Sequence, residues 1–156
     1  MRRTLSTLFA ATLALAAGAS LAQSQGVSKN EILVGSIQDL SGPLAAFGKA
    51  VRQGMMLRAE ELNEQGGIHG RKMKLVVEDS GYDPKKAVLA AQKLVNQDKI
   101  FIMAGHIGTA QNNAAMPIQF EKNIVNFLPV TAAREMYEPL NRLKFSFAVT
   151  YYDQVR

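Results

Sequence analysis

Cysteine is absent from the 156 residues. That excludes a disulfide scaffold, a thiolate metal site, a cysteine nucleophile and a lipid-modified N-terminal cysteine. Charge is sparse too: 20% of residues are charged against 47% hydrophobic, which is not the balance of a disordered chain. No collagen-like or heptad period occurs. Histidine is limited to His69 and His106, so no second histidine stands at metal-ligand spacing. The phosphate-cradling patterns G-x-G-x-x-G and G-x-x-x-x-G-K-[ST] and the nucleophile elbow G-x-S-x-G are missing as well. These absences predict no catalytic residue, no metal and no cofactor. They leave a small α/β nucleotide-binding enzyme as a rival rather than the leading reading.

The longest apolar stretch lies at the N-terminus. Arg2 and Arg3 precede an alanine-rich hydrophobic run over residues 5–17, and the small residues Ser20 and Ala22 stand three and one before a cut. That is the plan of a secretory signal, with cleavage near Ala22; the run is too short and too broken by Ser6, Thr7 and Thr12 for a stable membrane span. The expected organisation is a signal peptide over residues 1–22 and one domain over residues 23–156. Loss of the leader removes two arginines and lowers the formal charge of +5 by two. What remains is an ordinary charge for a soluble exported domain, and nucleic acid is not an expected partner.

From Glu31 onward, short apolar runs alternate with helical patterns. Residues 32–37 predict a buried strand, and 45–65 a helix whose stripe is Val51, Met55, Ala59 and Leu62, stopped by Gly66 and Gly67. Residues 73–77 predict a second strand. Asp83 and Pro84 then form a helix start, with Ala87, Ala91, Leu94 and Val95 as the buried stripe. Strands follow at 100–104, 124–128 and 144–149. The helix between the third and fourth, over residues 110–122, contains Pro117, which is expected to kink or shorten it. Such alternation predicts an α/β fold, a doubly wound and mostly parallel sheet.

In such sheets ligands bind outside the carboxyl ends of the strands. Four loops belong there: residues 39–48, 79–84, 105–109 and 129–133. Three of them bring a hydroxyl, on Ser41, Thr109 and Thr131. Thr109 also stands as a candidate N-cap, so free helix amides would point to the same edge, and together these groups suit a carboxylate. Each has a plainer role open to it: Thr109 as a cap alone, Ser41 as a turn residue. Phe47 is the aromatic placed in the site, or else a core contact beneath the loop. His106 either touches a ligand or supports the loop from behind. Asp79 sits where a ribose-binding acid would lie, but reads better as a solvated strand end.

The stretches ILVGS from Ile32, LSGPLAAFG from Leu40, LNEQGGIHGRK from Leu62, EDSGYDPKKA from Glu78 and IMAGHIGT from Ile102 form an ordered set. Together they resemble the branched-chain amino acid binding proteins, the type I periplasmic solute-binding components of ABC importers. The resemblance runs from Glu31 to Gln154. It implies the first lobe of a two-lobed protein, with the second lobe missing, that closes on an amino acid or similar small carboxylate and presents it to an ABC permease in the inner membrane. It also implies a periplasmic location and no enzymatic activity. Carried over position by position, it implies ligand contacts from Ile107, Gly108 and Thr109, from Val130, Thr131 and Ala132, and from Phe47. Ser41 and His106 join them from the loop reading. A ligand-sensing receptor domain of the same fold is a further alternative.

Overall fold

The computed structural model describes residues 24–156; the expected signal peptide lies outside the described residues. Five strands form one sheet: β1 (Glu31–Gln38), β2 (Lys72–Asp79), β3 (Ile102–Ala104), β4 (Val125–Phe127) and β5 (Lys144–Phe145). Every pairing is parallel, in the order β2-β1-β3-β4-β5. The chain thus steps from β1 to one side and then returns to the other. This places a switch in strand order between β1 and β3, and in sheets of this kind the carboxyl edge at such a switch is where ligands bind.

The helices are α1 (Ala45–Glu64), α2 (Pro84–Gln92), α3 (Thr109–Glu121) and the short α4 (Tyr151–Gln154). Strand alternation sends Ile37 and Met103 to one face of the sheet, where α2, the π-helical turn Lys93–Gln97 and α3 seal them. All four residues of the expected α2 stripe, Ala87, Ala91, Leu94 and Val95, are buried there. Small alanines at that contact let α2 and α3 pack closely. The opposite face carries α1, whose stripe is buried only at Ala59; Val51, Met55 and Leu62 are half-buried.

Local chemistry explains the boundaries. Asp83 caps α2 by accepting from the Lys86 amide at 2.9 Å, and that bond holds its carboxyl below the usual value. Gly66 and Gly67 both adopt positive φ, 98° and 73°, at the turn out of α1. Pro117 does not break α3, which runs on to Glu121. Helices and short strands account for two further differences. β3 begins at Ile102 rather than Ile100, and β5 ends at Phe145 because the chain then turns toward α4. Among the described residues no helix is long and apolar enough to cross a membrane.

Candidate functional site

The first loop, after β1, is built around two aspartates. Asp39 is fully buried and accepts the amides of Gly42 and Leu44, each at 2.6 Å. Asp79, at the end of β2, accepts from the Leu40 and Gly81 amides at 2.8 Å and from the Ser41 hydroxyl at 2.5 Å. Burial would raise the Asp79 pKa, but these hydrogen bonds, with Lys86 nearby, outweigh it and hold the carboxyl below its ordinary value. So Asp79 is no idle strand end: it clamps the first loop to the second. Ser41 is thereby tied to Asp79 and does not join the two threonines. Gly48 lies against the same loop, where a Cβ would collide with the Asp39 carbonyl oxygen. Phe47, on the first turn of α1, is 53% exposed, so its ring is not a core contact beneath the loop.

The loop between β3 and α3 is held by amide side chains. Asn112 donates to the carbonyls of His106 and Gly108, at 2.8 and 2.7 Å, and Gln111 donates to the Tyr82 carbonyl at 2.5 Å. Gly108 takes φ +94° as the residue before α3, a conformation in which an added Cβ would strike the Gln111 side chain. The helix therefore starts one residue earlier than the sequence suggests. Thr109 is its first residue and not its cap. The Thr109 hydroxyl meets the Thr131 hydroxyl at 2.6 Å.

Thr131 comes from the loop after β4, which runs beside the β3 loop through the Ile107–Val130 bridge and a 2.9 Å bond from the Val130 amide to the His106 carbonyl. Ile107, Gly108, Thr131 and Ala132 are buried, and the amides of Ile107, Gly108 and Thr131 are already bonded to the Ile37, Val130 and Pro129 carbonyls. His106 lies beneath the same loop. Its ring is wholly buried with neither nitrogen hydrogen-bonded, and burial pushes its pKa down to about 3. It is a neutral ring inside the fold, and its carbonyl accepts from the Asn112 side chain and the Val130 amide.

The sequence reading missed Tyr151. The chain leaves the sheet after β5, and Thr150 caps α4 by accepting the Asp153 amide at 2.9 Å. The Tyr151 amide bonds to the Ala132 carbonyl at 2.9 Å, and its phenolic oxygen lies 3.3 Å from the Thr131 hydroxyl. The hydrogen bond with Thr131 lowers the phenol pKa, helped by the Ala132 backbone and slightly by Thr109, against a burial effect of opposite sign. No spacing rule links residues 131 and 151, so only the tertiary contact reveals this tyrosine.

The carboxyl edge of the sheet thus presents an anchored first loop with an exposed aromatic, and a row of neutral hydroxyls beside the first turn of α3. Among the described residues no cluster of metal-ligating side chains occurs. Donors without a facing acid or base suit binding an anion rather than transforming it. Residues 31–156 match the family model described as "Periplasmic binding protein".

The chain belongs to the periplasmic binding protein family.

The family is one of binding proteins, not enzymes. The leucine-, isoleucine-, valine-, threonine- and alanine-binding protein of Pseudomonas aeruginosa is 31% identical over 132 residues, covering 85% of this chain and 34% of that protein. Two solved structures share the fold. The fatty acid ABC transporter substrate-binding protein from Thermomonospora curvata superposes with a TM-score of 0.75 at 28% identity, over 83% of this chain and 32% of its own. The branched-chain amino acid transporter substrate binding protein LivJ from Streptococcus pneumoniae, in complex with isoleucine, gives 0.65 at 26%, over 69% and 31%. The chain spans about a third of the length of these relatives.

Proposed function

We propose that this chain is the N-terminal ligand-binding lobe of an exported solute-binding component of an ABC importer, taking an amino acid or another small organic carboxylate. The observation that carries the reading is the Thr109–Thr131 hydroxyl pair set beside the first turn of α3 at the carboxyl edge of a parallel sheet. The relatives' names point to the same chemistry. Branched-chain amino acids and fatty acids differ in their tails and share a carboxylate. In this reading the Thr109 hydroxyl and the first-turn amides of α3 receive the carboxylate, with Ala132 beside them, while Ile107, Gly108, Val130 and Thr131, whose amides are bonded to the Ile37, Val130, His106 and Pro129 carbonyls, hold the two loops in place. Phe47 packs on the apolar tail, and Ser41 shapes the first loop. Residues 1–22 direct export to the periplasm with cleavage near Ala22, and an inner-membrane permease receives the ligand.

A single lobe makes only part of the contacts while nearly all of the ordering cost remains. Residues 23–156 alone should therefore bind L-leucine or hexanoate weakly, with a Kd of about 1 mM or more, near −4 kcal/mol. Amide chemical shifts followed during titration test this: saturable changes are expected at residues 107–109 and 130–132. Thr109→Ala should cost roughly 1.5–3 kcal/mol of that binding, the range for a hydrogen bond to a charged group. Saturable shifts confined to other parts of the sheet, or none with any carboxylate, overturn the reading.

A further inference from the structure

The hydroxyls at the edge can be counted. A threonine hydroxyl has one proton to donate and two lone pairs to accept with. Thr131 accepts from the Ala133 amide at 3.3 Å and exchanges bonds with Thr109 at 2.6 Å and Tyr151 at 3.3 Å. Those three contacts exhaust it: one donation and two acceptances. It is also nearly buried, at 6% exposure, whereas Tyr151 is 54% exposed. Thr131 therefore has nothing left to give a ligand. The row holds three hydroxyl protons for its two hydrogen bonds at 2.6 and 3.3 Å, so the third proton belongs to an end residue. If Thr131 donates to Tyr151, Thr109 donates to Thr131 and that proton is on Tyr151. If the row runs the other way, it is on Thr109.

We propose that Tyr151 is a ligand-binding residue of this site, its phenolic hydroxyl donating to the bound carboxylate, with Thr131 acting as a positioning residue that links it to Thr109. The assignment rests on the carboxylate reading above and changes which side chain carries it out. The phenol is well placed to be held there. Its backbone amide is fixed to the Ala132 carbonyl at 2.9 Å, and its helix is capped by Thr150, itself buried.

The test uses the exported chain with L-leucine and hexanoate as probes. Tyr151→Phe keeps the ring and should weaken binding of both roughly tenfold, the effect of losing a hydrogen bond to a charged group. The chain has four tyrosines and no tryptophan, so a phenol difference spectrum is free of indole overlap. Adding either probe should perturb that spectrum in the parent and in Tyr152→Phe, and not in Tyr151→Phe. The Tyr151 ring-carbon shift in the parent gives the same answer without any variant. If both probes bind saturably, but the Tyr151 ring is unmoved or Tyr151→Phe binds as the parent does, this proposal alone falls. If the parent binds neither probe saturably, the carboxylate reading falls and takes this assignment with it.

Discussion

The two faces of the sheet are made by the same strands and end differently. On the face of Ile37 and Met103, α2, the turn after it and α3 close a core in which Leu94, Ile100 and Ala115 are fully buried. On the face of Val34, Leu75 and Ile102, only α1 packs among the described residues, and it covers β1 and β2. Beside it an open groove of about 770 Å³ runs past Phe101, Ile102, Ala104 and Phe127. Phe101, Phe127 and Leu128 are each more than a third exposed, and the Phe127 and Phe145 rings lie 6.4 Å apart at the groove's rim. Strand alternation made both faces apolar; the number of helices delivered to each decided which one closed. Burial free energy follows area removed from water, so identical residue types contribute very differently on the two sides.

That contrast can be broken by substitution. Leu94→Ala on the closed face should cost about 3 kcal/mol, because it leaves a cavity that alanine-rich neighbours cannot fill. Urea denaturation of the exported chain measures it, and a loss under 1 kcal/mol would show that the closed face is loosely packed. His106 tests the same sealed interior by charge. Its folded pKa of about 3 lies below the unfolded value of 6.5, so the folded state resists a proton that the unfolded state accepts. Stability from this group is complete above pH 6.5 and is lost as pH falls toward 3. At pH 5 the loss should be about 2 kcal/mol relative to pH 8. His106→Gln should remove that part of the pH dependence, read from denaturation midpoints at both pH values. Phe101→Ser, in the open groove, should change stability by roughly 1 kcal/mol or less. If it matches Leu94→Ala in the same denaturation series, the groove is closed in solution and the contrast disappears.

Much of the fold was legible in the residues. Gly66 and Gly67, the Asp83–Pro84 start and the α2 stripe are local signals, and each acts within one turn of chain, so each reads correctly alone. The same holds for the four edge loops, which follow from alternation of strands and helices. Misreadings occurred where two distant segments compete for one group. Ser41 looked like part of a hydroxyl trio until Asp79, 38 residues away, took it. Thr109 looked like a cap, but Gly108 holds that position and the threonine hydroxyl turns to Thr131.

The fold class and the parallel run of the strands were readable from the chain alone, because strand and helix periodicities and turn residues are short-range properties. Only the tertiary structure decided which hydroxyls meet, that Asp39 and Asp79 hold the first loop, and that Tyr151 reaches back across twenty residues to Thr131. A hydrogen bond needs its partners within about 3.5 Å and correctly aimed. Nothing in a linear pattern encodes that distance until helices and strands have packed.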